Sequence, residues 1–129
     1  MRSSKQEGKM EGFHRLEWMD YYVTEKAPGV YLLSNDGEVV LDIGRSDIDV
    51  GQELKALVNT PRGIDSKYAY FWFSYANNPF EAFNLHCKLW HRFRRSNGNF
   101  DTHPRPPQGE NWPCPVDGCE FNEPRKDEI

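Results

Sequence analysis

Apolar and polar positions along this chain follow two different periods, and each change of period marks an element. Gly29-Val-Tyr-Leu-Leu-Ser34 and Glu38-Val-Val-Leu-Asp-Ile43 are β-favouring runs separated by Asn35-Asp36-Gly37, residues that tolerate the positive φ of a tight turn. They predict an antiparallel hairpin. Val50, Leu54, Leu57 and Val58 recur at helical spacing, and Ser46 or Asp47 can cap the start of that helix. Tyr68-Ala-Tyr-Phe-Trp-Phe-Ser-Tyr75 is aromatic on both alternating faces, which predicts a third strand covered on both sides. Ala82, Leu85, Leu89 and Phe93 then form one stripe of a long helix, widened by Phe80, Phe83 and Trp90. Asn77-Asn78-Pro79 supplies its N-cap and first-turn proline, and Asn97-Gly98 closes it.

The remaining segments are weaker in pattern. Residues 1–11 are polar and without periodicity, and read as a disordered leader. Between Phe13 and Lys26 the apolar residues fall only loosely at helical spacing, so a short helix or an extended arm is expected, ended by Pro28. Asn59 to Ser66, with Pro61 and Gly63, is a loop. From residue 99 onward six of the nine prolines appear, with Trp112 and two cysteines. The expectation is one α+β domain over residues 12–98, a small three-stranded antiparallel sheet flanked by helices, followed by an irregular Cys/Pro-rich tail over 99–129.

Composition narrows the classes. The 129 residues, 37% hydrophobic and 14% aromatic, suffice for one real core. No apolar run approaches 18 residues and no charged-then-apolar leader is visible, so neither a membrane span nor a secretory signal is expected, and a cytoplasmic protein is. Three cysteines make an odd count that a secreted disulfide framework rarely shows, so Cys with His points first to metal or to buried thiols. The net charge of −4 argues against a bulk electrostatic grip on nucleic acid; any such contact must come from a local site.

Two sets of residues carry candidate chemistry. Cys87-x3-His91 on the long helix and Cys114-x4-Cys119 in the tail supply four ligands of the kind and number that tetrahedral structural zinc uses, with His103 as an alternative to His91. Gly118 permits the turn, and a proline-rich tail needs a tether to be ordered. The competing assignment makes Cys87 a small core hydrophobe and His91 an ordinary helix histidine. The second set is cationic. Arg45, Lys88 and Arg92, with Arg94, Arg95, Arg62 and Lys67 nearby, can hold phosphates, although cations in the last turns of a helix are expected from its dipole alone.

The order hairpin, helix, aromatic strand, long helix, together with Gly29-Val30-Tyr31, Asp42-Ile43-Gly44-Arg45-Ser46-Asp47 and Pro79-Phe-Glu-Ala-Phe-Asn-Leu85, resembles the GIY-YIG nuclease family over about residues 28 to 95. The resemblance implies a phosphodiester attacked by water, assisted by two motif tyrosines, an arginine on the first helix and a glutamate on the later helix that holds a divalent metal, Mg or Mn. Carried over by position, Tyr31 matches the first tyrosine, and Gly29 and Gly44 are kept. Asp42 stands in place of the second tyrosine, Glu53 in place of the arginine before Leu54, and His86 in place of the metal-binding glutamate. A carboxylate where a cation stood repels a scissile phosphate. The resemblance therefore implies a degenerate, non-catalytic member acting as a binding or interaction module, with nucleic acid as a candidate partner. The alternative is that Asp42, Glu53 and His86 converge on Tyr31 as a rebuilt site for metal-dependent endonuclease or phosphodiesterase chemistry.

Overall fold

Strand β2 (Gly29–Ser34) is buried at all six positions, as its unbroken apolar run requires when both faces of a sheet are covered. In the computed structural model, which describes residues 10–58, 68–97 and 103–119, β2 pairs antiparallel with β3 (Asp42–Ser46) on one side and β4 (Tyr70–Tyr75) on the other. A fourth strand, β1 (Glu11–Arg15), adds to the free edge of β4, so the sheet order is β1-β4-β2-β3. Four strands therefore replace the expected three. The segment expected as a helix or an extended arm is both: β1 leads through a 3-10 turn, Leu16–Trp18, into the one-turn helix α1 (Met19–Tyr22). Its apolar residues sit at loose helical spacing because Leu16, Met19 and Val23 all reach down into one cluster under the sheet.

The hairpin forms, but its second strand starts four residues later than the β-favouring run suggests. Side chains have taken over the backbone partners of the turn. Ser34 Oγ accepts from the Asp36 and Gly37 amides, and Asp36 Oδ1 accepts from the Glu38 and Val39 amides at 2.8 and 3.0 Å. Those bonds, Val39 first, hold the Asp36 carboxyl below the usual carboxylate range. With their donors satisfied locally, Glu38 and Val39 have no need of the ladder, and contact with β2 resumes where the Leu41 amide donates to the Leu33 carbonyl at 2.7 Å. Val40 meanwhile tucks into the core beside Leu32.

Opposite residues in the register fix the two faces of the sheet. Tyr31 and Leu33 share theirs with Phe71 and Phe73, and helix α2 (Val50–Val58) covers it with Val50 and Leu54. Asp49 caps α2, its Oδ1 accepting the Gln52 amide at 3.2 Å. Of the two caps expected, Ser46 instead shapes the preceding turn through the Ile48 and Asp49 amides, and Asp47 binds Arg45. The other face carries Val30 and Leu32, packed against Ala82, Leu85 and Leu89 of the long helix α3 (Pro79–Asn97). The start of α3 is as expected: Asn78 Oδ1 accepts the Glu81 amide at 2.9 Å, while Glu81 reaches back to the Asn77 amide.

α3 buries a second stripe. Phe83 and Cys87, one turn apart, face away from the sheet and meet Cys114 and Cys119, with Trp112 and Val116 packed around them. The described tail, residues 103–119, contains no helix or strand, and it is this third cluster that lays it along the helix. Among the described residues no helix is long and apolar enough to cross a membrane. Residues 1–9 of the leader expected over 1–11, the Asn59–Ser66 loop with Arg62 and Lys67, the Gly98 stop signal and residues 120–129 lie outside the described residues, whereas Glu11, expected in that leader, opens β1.

Candidate metal centre and the Tyr31 face of the sheet

The tail returns to α3 so that four donors meet. His91 of the helix and His103, Cys114 and Cys119 of the tail each offer one ligand atom, and these atoms all lie within 4.8 Å of one another. His91 Nε2 stands 3.5 Å from Cys114 Sγ, and His103 Nε2 3.3 Å from Cys119 Sγ. A tetrahedral zinc with Zn–N near 2.0 Å and Zn–S near 2.3 Å has ligand-to-ligand edges of roughly 3.3–3.8 Å. These two edges fit such an ion. The orientation of His103 fits too, because its Nδ1–H donates to the Pro104 carbonyl at 2.7 Å. That bond leaves the Nε2 lone pair facing the thiols, the outer bond through which proteins aim an imidazole at a metal.

The donor set differs from the expected one at one position. His103, anticipated as a substitute for His91, stands in place of Cys87. Cys87 is fully buried beside Phe83 and touches the centre from behind. Burial, then the neighbouring Cys114, pushes its thiol pKa upward, and burial likewise raises that of Cys114. No disulfide joins the three cysteines. The helical stripe that Cys87 shares with Phe83 was the signal for its core position. Nothing in the spacing of the tail marked His103 over Cys87, because His103 reaches the centre only through the path of the chain across residues 103–119.

The other candidate residues divide between the two faces of the sheet. Tyr31 points to the α2 side and lies flat over Gly44, directly opposite on β3. A Cβ at position 44 would overlap the Cζ, Oη and Cε1 atoms of the Tyr31 ring, so the glycine at this point of the strand is required by packing. Asp42, on the same face, accepts the Tyr68 hydroxyl at 2.7 Å. Burial first, then the nearby Glu53 and Asp42 carboxylates, push the Tyr31 phenol up to about 12. Burial and the Asp42 bond also hold Tyr68 in its protonated form. Tyr31, Tyr68, Asp42 and Glu53 thus form a group of two neutral phenols and two carboxylates.

His86 is not among them. Arg45 and His86 lie on the α3 face, where Arg45 Nη1 stands 3.4 Å from His86 Nδ1. Side chains alternate along a strand, and Arg45 is one residue beyond Gly44, so the expected convergence of Asp42, Glu53 and His86 is split by the sheet itself. Burial, followed by the charge of Arg45, pulls His86 down to about 3, which keeps it a neutral imidazole. Arg45 is almost buried and fully engaged. Its Nε donates to Asp47 at 2.9 Å, its Nη2 donates to the Arg105 carbonyl at 2.7 Å, and its guanidinium lies 5.4 Å from the centre of the Phe83 ring. It works as a clamp between the β3 edge and the tail. Of the expected phosphate-binding cations, Lys88 and Arg92 are exposed on α3, with Arg92 resting against the Phe93 ring.

An open cleft of about 340 Å³ lies elsewhere, between the Met19–Lys26 segment and α2, lined by charges of both signs including Asp20, Lys26, Asp49 and Lys55. It brings together no set of groups with a shared chemistry. No protein-family model, curated protein or solved structure matches this chain.

Proposed function

We propose that this chain is a zinc-stapled α+β domain of the GIY-YIG type that has lost its nuclease chemistry and serves as a cytoplasmic binding or interaction module, with nucleic acid as the first partner to test. One observation carries the staple: two imidazoles and two thiols are gathered with their ligand atoms within 4.8 Å of one another between a helix and an otherwise irregular tail. A closed set of four protein donors is the pattern of structural zinc, since a catalytic zinc keeps one position open for water. The ion would be held by His91, His103, Cys114 and Cys119. Its contribution would be to fasten the tail, which lacks regular hydrogen bonding of its own.

Loss of nuclease chemistry is supported by the Tyr31 surroundings. Burial, with the Glu53 and Asp42 carboxylates adding to it, raises the phenol instead of priming it as a base, and Arg45 of β3 is committed to Asp47 and the Arg105 carbonyl. Lys88 and Arg92 remain for a phosphate backbone. A second reading keeps hydrolysis, because Tyr31 with Asp42 and Glu53 on one face still offers hard oxygen ligands for Mg or Mn. The two are separated by incubating the protein with single- and double-stranded DNA and RNA in Mg²⁺, Mn²⁺ or Zn²⁺, beside Tyr31→Phe. Retention of nucleic acid that weakens steeply with salt, without cleavage, is the expected result. Cleavage that Tyr31→Phe abolishes would establish the second reading instead. Metal content after dialysis should be about one Zn²⁺ per chain, as a four-ligand site requires.

A further inference from the structure

The two faces of β4 are not covered alike. Phe71 and Phe73 are shut in on the α2 side of the sheet, whereas Tyr70 and Trp72, on the α3 side, are only partly buried. The cause is the position of α3, which lies over β2 and β3 and leaves the same face of β4 and β1 beyond its edge. Phe13 of β1 stands half exposed on that strip, its ring centre 5.0 Å from that of Tyr70 and 6.1 Å from that of Trp72. Arg15 holds its guanidinium 5.8 Å from the centre of the Tyr70 ring while its Nη2 donates to Glu17 at 3.2 Å.

A cationic wall runs beside these rings. α3 meets the sheet through Leu85 and Leu89, and His86 leans to the β3 side, where it meets Arg45. At about 100° per residue, Arg92 and Lys88 fall on the opposite flank, roughly 120° and 160° around the helix from His86. That flank overlooks β4 and β1, and both side chains are exposed. At the hairpin turn the sign reverses: Gly37 packs against the Phe13 ring, and its neighbours are Asp36 and Glu38.

We infer that this strip is a stacking floor for single-stranded nucleic acid, with bases laid on Tyr70, Trp72 and Phe13 and phosphates running along Arg92 and Lys88. The inference names the surface and the strandedness of the nucleic-acid partner in the proposed function, and rests on that reading. A duplex keeps its bases stacked inside, whereas every unpaired base has a face to lay on a ring. Asp36 and Glu38 repel phosphate at the turn, so the backbone is held to the α3 side and the bases reach across to the sheet.

The test is an anisotropy titration of the full chain with labelled DNA and RNA single strands of about 12 nucleotides, within the usual span of such sites, and with the same sequences as duplexes. Wild type should prefer the single strands. Tyr70→Leu and Phe13→Ser should each weaken single-strand binding by roughly 5–150-fold, the range for removing one stacking ring. Urea midpoints check that they fold, and because the two rings sit on different strands, either variant alone can decide. Arg92→Gln should weaken every sequence alike and lower the salt slope by about one, whereas Glu38→Gln should bind more tightly. Duplexes bound as well as single strands, or folded ring variants that bind like wild type, would overturn the stacking floor and leave the nucleic-acid reading standing. Retention of no nucleic acid at low salt would end both. A free chain that sediments as a dimer, and as a monomer once Phe13→Ser is introduced, would assign the strip to a second copy and overturn the inference as well.

Discussion

Gly44 and Tyr31 test whether a residue of the hairpin is fixed by packing. In an ordinary strand position Gly→Ala is favourable by roughly 0.5–1 kcal/mol, because alanine has less chain entropy to lose. Here the sign should reverse. The methyl of Gly44→Ala would fall on three atoms of the Tyr31 ring, and that ring has no room to retreat, being packed among Val50, Leu54 and Phe73. Overpacking of this kind costs about 1–3 kcal/mol, and for a chain of this length each kcal/mol lowers Tm by roughly 3–6 °C. The Tyr31 background decides the cause. Tyr31→Phe keeps Cζ and Cε1 over position 44, so Gly44→Ala should remain destabilising there. Tyr31→Leu removes the outer ring, and Gly44→Ala should then be neutral or mildly stabilising. Urea unfolding of the six proteins gives the coupling directly, with midpoints shifting and slopes constant. Equal cost of Gly44→Ala in all three backgrounds would refute the packing argument.

Three further outcomes are expected. Stripping the metal, or His103→Ala, should loosen the tail while leaving the sheet folded; limited proteolysis should then cut near residues 103–119, and with free zinc at about 100 times Kd the holo form should be more stable by roughly 2.7 kcal/mol. Arg45→Met breaks the clamp onto the Arg105 carbonyl and Asp47; the lost charge-assisted bonds should cost about 1.5–3 kcal/mol in urea, with hydrogen exchange faster in the tail than in β2. Tyr31 should titrate late, near 12 against about 10 for an unfolded tyrosine. Its raised value contributes stability below pH 10, on the order of 2–3 kcal/mol, which is lost as pH rises through 12. Ultraviolet absorbance should lose a late-ionising phenol in Tyr31→Phe, and an unchanged titration curve would contradict the burial of that hydroxyl.

Much of the α+β fold was legible because its elements are set by local physics. The stripe of Ala82, Leu85 and Leu89, capped by Asn78 and opened by Pro79, forms a helix whatever surrounds it, and the apolar run of β2 makes a buried strand. The departures arise where a side chain competes with the backbone or where a distant strand supplies the partner. Asp36 took the amides of Glu38 and Val39 and moved the start of β3. β1 became a strand because the edge of β4 was free to pair with it, although its own sequence is mostly exposed. Asp49 caps α2 in place of Ser46 or Asp47, since Arg45 draws Asp47 away.

At the candidate sites the same division appears. The sequence by itself offered Cys87, His91, Cys114 and Cys119, with His103 as an alternative, as a donor set shared between one helix and one tail, because thiols and imidazoles are the side chains structural zinc favours. Which side chains are neighbours was decided by tertiary structure alone. The pleat puts Tyr31 and Asp42 on one face and Arg45 with His86 on the other, separating residues that a linear comparison would join. The course of the tail exchanges His103 for Cys87 in the donor set. Residue type fixes what chemistry is available, whereas strand parity and chain path fix which groups can share an atom.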